Sequence, residues 1–406
     1  MGIISAIKNL CNGIGAPPSP TLNRGYRNAS IPAPTVSRFV HSDTGQPELL
    51  GPELARGGEG AVYLLANRPS ILVKLYFDHR LANDSELSAK IRAMTALPLK
   101  DDPRFAWPRM TVHDDAGRFI GLAMRKVDGV SFQTFCQPSL VQQRLPGWNR
   151  RRTIHAACNF VELIHTLHDH QVIVGDINPA NFLFVPDTGA VSCLDCDSSQ
   201  IRAQSRVFRC RMAVPEYQPP ELQQCFSDVV RTSDHERFSV AVMLFKMLML
   251  GLHPYSHRSG GHPIANLQKG KTPFDPVLGR TDRVSFPDGN WRFMWSHLPY
   301  AVKTLFIRSF VDGHGNPAAR PHLDEWANVL RRYGDEMDKG WHSDELMPTR
   351  TKDSSKPPSS QNPSATPQSP AAPSWALSQP RLAPVRPPCP QPHNGRRHSW
   401  RQQHTT

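Results

Sequence analysis

Two spacings of apolar residues alternate along the middle of the chain. ILVKLYF (71–77) and RFIGLAMRKV (118–127) concentrate β-branched and aromatic residues between Pro, Asp and Gly, a composition that predicts strands. Beyond about residue 150 the period lengthens. Ile154, Ala157, Val161, Ile164 and Leu167 recur at helical spacing, and 238–250 is apolar on nearly every face, as in a helix enclosed by a large lobe. A strand-rich part followed by a helix-rich part predicts an α+β chain with two lobes, about 46–127 and 128–340. The longest apolar run, Phe238 to Leu252, is interrupted by Lys246 and is shorter than the ~18 apolar residues that would suggest a membrane span.

Outside 46–340 this patterning stops. Thirteen of the 39 prolines lie in 342–406, with many Ser and Gln, so 341–406 reads as a disordered basic tail, partly polyproline II. Residues 1–45, with APPSP and IPAP, read as an N-terminal segment and linker. Charge follows the same division: Lys+Arg number 47 against 35 Asp+Glu, a net +12, of which +5 falls in 341–406 and +3 in 1–45. The surplus therefore describes solvated flanks, and a nucleic-acid partner is not expected. Eight cysteines without disulfide-framework spacing predict a reduced, cytoplasmic chain. MGIISAIKNLCNGIG lacks a clear cleavage site, and Ala6 stands where a myristoylation signal wants Ser or Thr.

Two segments carry candidate chemistry. In LARGGEGAVYLL (54–65), Gly57, Gly58 and Gly60 permit a backbone tight enough for amide N–H groups to approach phosphate oxygens, and Val62 on the same hairpin could cover a flat base. Lys74 follows inside the apolar strand VKLY, where an ammonium must either reach the surface or meet an anion. Farther on, VIVGDINPANFLFVPDTGAVSCLDCDSSQ (172–200) places Asp176 and Asn181 in one short loop. A strand, a turn at Asp187–Gly189 and a second strand ending in Asp195 come next. Two carboxylates and an amide so arranged supply a base and oxygen ligands for Mg²⁺. Turns stabilised by Asp and Asn side chains would account for any one of these residues alone, but not for the whole array in this order.

These residues resemble the protein kinase superfamily. Gly57, Gly58, Gly60 and Val62 match the phosphate loop, Lys74 the strand lysine, Asp176 and Asn181 the catalytic loop D-x-x-x-x-N, and Asp195 the metal-binding aspartate. VPEYQPPEL (214–222) resembles the segment ending in A-P-E, with Glu221 as its glutamate and Arg320 in NPAARP as the arginine that pairs with it. Asp234, Phe238 and Ser239 resemble the start of the buried central helix. More narrowly, GDINPANFL, LDCDS, PEYQPPE and AWPRMTVHDDAGRFIGLAMRKV are similar to bacterial kinases of the YegI-like type. Some of those are associated with protein phosphatase 2C and von Willebrand A-domain proteins. The resemblance implies a bilobal kinase fold over 46–340, ATP and Mg²⁺ as cofactors, and transfer to Ser/Thr hydroxyls of a protein substrate. It further implies catalytic roles for Asp176, Lys74 and Asn178, nucleotide contacts at Gly57, Gly58, Gly60, Val62, Lys74 and Met124, and metal ligands at Asn181 and Asp195.

The chain departs from that pattern at several positions. Gly175 stands where an arginine precedes the catalytic aspartate, and Asn178 where a lysine follows it. Cys196 and Asp197 replace Phe and Gly after Asp195, so either Asp195 or Asp197 could hold metal; the distance from Gly189 favours Asp195. Glu86 in SELSAKIRAM is the acid available to pair with Lys74. Cys193 and Cys196 form a C-x-x-C with no second pair beside it, and His165, His168 and His170 read as helix-end residues. A small-molecule phosphotransferase of the aminoglycoside-kinase type and a pseudokinase are the rival readings.

Overall fold

The computed structural model describes residues 39–203, 205–274 and 284–350. The chain divides into two units, Met1–Ser359 and Ser360–Thr406. The second unit lies outside the described residues, as do the N-terminal segment through 38 and the expected tail from 351.

Six antiparallel strands close into a barrel: β1 (Phe39–Ser42), β2 (Pro47–Arg56), β3 (Gly60–Leu65), β4 (Arg68–Tyr76), β5 (Pro108–His113) and β6 (Phe119–Arg125), in the order β1-β2-β3-β4-β6-β5. The sequence expectation at 71–77 and 118–127 corresponds to β4 and β6. Strand β4 is buried on both faces from Leu72 to Tyr76, which explains its continuous apolar run. Alternation along it sends Val73 and Leu75 into a small cluster with Val40, Leu65, Val112 and Ala123. Leu72 and Tyr76 take the opposite face and join the main core with Val62, Leu122 and Met124. Lys74 lies between them in register, so period-two geometry alone turns its ammonium toward the main core.

The 1–45 linker expectation is corrected here. Phe39–Ser42 pairs with both β2 and β5 and is the strand that closes the barrel. Closure removes two edges that would otherwise offer unpaired backbone groups.

After β4 come helices α1 (Asp78–Asn83) and α2 (Leu87–Thr95), and after β6 the chain becomes mainly helical with α3 (Pro138–Arg144) and α4 (Arg150–Asp169). The helical spacing seen from Ile154 is the buried stripe of α4, capped by the Asn149 side chain accepting from the Arg152 amide. A three-stranded sheet, β7 (Val130–Ser131), β8 (Phe182–Phe184) and β9 (Val191–Cys193), carries the 172–200 motif. The β10 (Ile201–Ala203) and β11 (Arg206–Phe208) hairpin and α5 (Ser233–Leu248) follow. Every residue of α5 from Phe238 to Leu248 is buried, as its lack of a polar face predicts.

Beyond α5 lie α6 (Pro263–Gln268), α7 (Trp291–His297), α8 (Tyr300–Ile307) and α9 (Leu323–Asp338). The domain does not stop at 340. Buried Arg150 donates to the carbonyls of Glu345 and Leu346 at 3.1 and 3.2 Å, and its amide donates to Asp344 at 2.8 Å. Leu346 and Met347 pack on the main core. Composition drew the boundary at 341 because the Pro-rich stretch begins just after this strap. Each hydrogen bond to a charged group contributes about 1.5–3 kcal/mol. Deleting 341–406 should therefore cost about 3 kcal/mol or more, whereas deleting 351–406 should leave the melting midpoint unchanged. Equal midpoints for the two truncations would show that the strap contributes nothing.

Candidate active site

Four separate segments bring the chemistry-bearing residues together. The loop leaving α4 is tied down where Ile173 and Gln200 exchange two backbone hydrogen bonds of 2.9 and 2.8 Å. Asp176 is then held by two asparagines: Asn181 Nδ2 donates to its carbonyl at 2.9 Å and to Oδ2 at 3.2 Å, and Asn178 Nδ2 donates to its carbonyl at 3.2 Å. Its Oδ1 is buried and accepts no hydrogen bond among the described residues. Burial pushes the Asp176 carboxyl above the ordinary range. The result is a fixed carboxylate with one oxygen that has no hydrogen-bond partner among the described residues.

Asn178 is turned back on its own loop. Its Oδ1 accepts from the Ala180 amide at 2.9 Å, in the manner of an Asx turn. It shapes the loop through both ends of its amide. The Leu194 amide donates to the Asn181 carbonyl at 2.8 Å, which locks the end of β9 beside the loop and sets Asp195 next to Asn181.

Asp195 has a left-handed backbone, φ 51° and ψ 36°, and a three-residue 3₁₀ turn over Cys196–Ser198 follows it. That bend puts Asp195 and Asp197 on the same cation: Lys74 Nζ donates to Asp195 Oδ1 and to Asp197 Oδ2, both at 2.7 Å. The Tyr76 hydroxyl donates to the same Asp197 oxygen at 2.7 Å. Burial raises the Asp195 carboxyl against the pull of Lys74, whereas Lys74, Tyr76 and Lys90 outweigh burial at Asp197 and hold it low. Burial alone would lower the Lys74 ammonium, but Asp195, Asp197 and Glu59 more than reverse it and keep it charged. The Asp195 side chain is 23% exposed and that of Asp197 5%, so Asp195 is the one able to present an oxygen to a bound group.

The glycine loop joins β2 to β3. The Gly57 amide donates to the Gly60 carbonyl at 2.9 Å, and Gly58 has open space where a Cβ would stand. Gly60 is required by strand packing, since a Cβ there would lie 2.2 Å from the Leu75 carbonyl oxygen. Val62 and Met124 are buried in the main core, opposite Lys74 and Leu72 in register.

Glu86 does not meet Lys74. It precedes α2 and pairs with Arg206 of β11, at a site where both side chains are exposed. Sequence reasoning also missed Tyr76, two residues beyond Lys74 on the same strand face, and Glu59, which pairs with Arg80 at 3.0 Å while facing the Lys74 cluster.

Glu221 and Arg320 do come together, in a bidentate pair of 2.7 and 2.9 Å, with Arg320 fully buried and also donating to the Asp234 carbonyl. The buried acid at the start of α5 is Glu236 rather than Asp234. Its Oε1 accepts from the Gly175 amide and its Oε2 meets His168 Nε2, both at 2.7 Å. His165 and His170 bond to Asp169 and to the Thr166 carbonyl at the end of α4. The Cys193 and Cys196 thiols are buried and donate to backbone carbonyls.

Gly175 has φ +73°, and a Cβ there would lie 2.5 Å from Arg231 Nη1 and 2.8 Å from Cys210. Arg231 fills the space beside it. Its guanidinium donates to the carbonyls of Gly175 and Met212, and Gln218 Nε2 also donates to Gly175. Gly175→Ala should cost about 1–2 kcal/mol for the left-handed backbone and a further ~1–3 kcal/mol for overpacking. Denaturant unfolding of the variant tests this, and an unchanged midpoint would mean that Arg231 yields freely.

No three His, Cys, Asp or Glu side chains converge on a metal position among the described residues. A hard cation here would have to be shared between Asp195, Asn181 and ligand oxygens. That donor set suits Mg²⁺, which is commonly held by one or two carboxylates plus substrate phosphates.

The loop carboxylate Asp176, the amide Asn181, the partly exposed Asp195 and the buried Lys74 form the set expected of a phosphotransferase of the protein kinase class. No protein-family model matches the chain. Two curated proteins do match, and both are named as protein kinases: protein kinase YegI of Escherichia coli (strain K12), 30% identical over 309 residues, and protein kinase YegI of Escherichia coli O157:H7, 29% identical over 304 residues. Each match covers 72% of this chain and 45% of the relative, so the chain spans about half the length of the curated relatives it matches. Over that matched part, the chain is a YegI-like relative of the protein kinases.

Proposed function

We propose that the chain is an ATP- and Mg²⁺-dependent protein kinase of bilobal fold that transfers the γ-phosphoryl group to Ser/Thr hydroxyls. The observation that carries this reading is the joining of Asp176, Asn181, Asp195 and Lys74 through one hydrogen-bonded frame, from segments as far apart as 74 and 195. When bound, the nucleotide supplies the transferable group and Mg²⁺ the neutralising charge. With nucleotide bound, Asp176 Oδ1 would accept the hydrogen bond of the acceptor hydroxyl, orient it and take its proton while the new P–O bond to that oxygen forms and the bond from the γ-phosphorus to the departing ADP breaks. Asn181 and Asp195 would offer oxygens to the cation, and Lys74 would hold a desolvated positive charge toward the phosphates. Gly57, Gly58 and Gly60 would cover the phosphates by backbone, Val62 and Met124 would border the base, and Asn178 keeps the loop in shape.

The resemblance extends the reading to protein phosphatase 2C and von Willebrand A-domain partners. The reading includes a cytoplasmic, reducing location, with which the thiols of Cys136, Cys158, Cys193, Cys196 and Cys210 agree. Among the described residues, no helix is long and apolar enough to cross a membrane.

Acceptor class separates this reading from the small-molecule rival. The full chain, ATP and Mg²⁺ would be incubated in parallel with a generic protein substrate and with a panel of aminoglycosides. Phosphoserine and phosphothreonine found by mass spectrometry in the protein arm alone support the proposal. Phosphorylation of the aminoglycosides alone would replace it.

A further inference from the structure

Resting on the reading above, we infer that Asp197 is the positioning residue for Lys74, taking the part that the resemblance assigns to a glutamate on the helix after the strand lysine. The buried face of that helix, α2, consists of Leu87, Lys90, Ile91 and Met94 and contains no acid. Glu86, the nearest carboxylate in sequence, is committed to Arg206. The helix instead buries a lysine, Lys90, on that face.

Asp197 has the geometry the role needs. Its Oδ2 accepts 2.7 Å hydrogen bonds from both Lys74 Nζ and Tyr76 OH, and its side chain is 5% exposed. Lys74 and Tyr76 extend from the same face of β4, two residues apart, so Asp197 is clamped to the strand at two points. Asp195 is also bound to Lys74 but is more open, and it is the carboxylate assigned to the cation. With Asp195 turned to a metal ion, Asp197 would be the remaining carboxylate hydrogen-bonded to Lys74. The expected pair is thereby rearranged: the acid comes from the turn after β9, and the helix offers no acid on its buried face. Lys74 alignment then depends on the Asp195–Ser198 turn and is insensitive to Glu86.

The test uses the full chain as wild type, Asp197→Asn, Asp197→Glu, Glu86→Ala, Lys74→Met and the Lys74→Met/Asp197→Asn double variant. ATP affinity is read by calorimetry in EDTA and in Mg²⁺, and kcat on a generic protein substrate. Asp197→Asn should lower kcat by about 10²-fold, the scale of a misplaced reacting geometry, and weaken ATP binding severalfold even in EDTA. Asp197→Glu should recover part of the loss, Glu86→Ala should match wild type, and the double variant should bind ATP no more weakly than Lys74→Met. Independent losses in the double variant would overturn the inference. So would a Glu86→Ala defect equal to that of Asp197→Asn, or a defect of Asp197→Asn confined to the Mg²⁺ arm, which would make Asp197 a metal ligand. The binding and double-variant readings in EDTA need no transfer. Wild type that binds ATP through Lys74 without transferring phosphate thus removes the catalytic reading and leaves the pairing intact, whereas wild type indifferent to ATP removes both.

Discussion

Asp176→Asn is expected to lose phosphoryl transfer by about 10²–10⁴-fold, the range attributable to a positioned general base, while folding and binding ATP as wild type does. The frame around the residue predicts this separation. Asn178 and Asn181 hold Asp176 mainly through its backbone carbonyl, which the substitution leaves in place. The amide of an asparagine can still meet Asn181 through its oxygen, and a neutral group removes the cost of burying a charge there. What disappears is a negative oxygen facing the hydroxyl. A melting midpoint near wild type with transfer lost is the expected pair of results, and comparable transfer by both proteins would withdraw Asp176 from the chemistry.

Lys74→Met should behave differently, failing in both activity and stability. Removing one partner of a buried ionic group leaves the other uncompensated, a loss of about 3–5 kcal/mol. Here two carboxylates, Asp195 and Asp197, would lose the same cation. For turnover, the loss of a preorganised charge at the phosphates predicts a fall of about 10²–10³-fold in kcat/KM for ATP. Calorimetric melting and ATP-dependent kinetics on the same preparation separate the two effects. A large drop in melting midpoint with unchanged kcat/KM would reduce Lys74 to a structural ion.

The contrast between these variants follows from how each residue is encoded. Asp176, Asn181 and Asp195 were legible because their geometry is local: one loop, two short strands and a turn fix their spacing within 20 residues. Strands β4 and β6 and helices α4 and α5 were legible because period and burial agree along each of them. Strand β1 was not, since four residues carry too little pattern and their partners lie in β2 and β5, the latter some 70 residues away. The strap at 344–346 was hidden for a related reason, because it binds Arg150 through backbone carbonyls that any sequence supplies. The Lys74 partner was misplaced because helix proximity in sequence favoured Glu86, whereas the left-handed bend at Asp195 is what delivers Asp197. Arg231 also left no signal. Gly175 showed that an arginine was missing, but only the fold shows a guanidinium from 56 residues later bonded to its carbonyl. Because backbone carbonyls already hold the Arg231 guanidinium, no phosphate is needed to place it, and Ser205, at the exposed turn between β10 and β11, should be replaceable by Ala without loss of rate.

Under the proposed reading, this frame moves phosphate and does not merely bind nucleotide. The most direct measurement is transfer of label from γ-labelled ATP to protein by the purified full chain with Mg²⁺, alongside Asp176→Asn at equal nucleotide occupancy. Mg²⁺-dependent labelling by wild type, with almost none by the variant, is the expected result. Bound ATP with no labelled protein from wild type, under conditions where occupancy is complete, would contradict it and leave a nucleotide-binding pseudokinase.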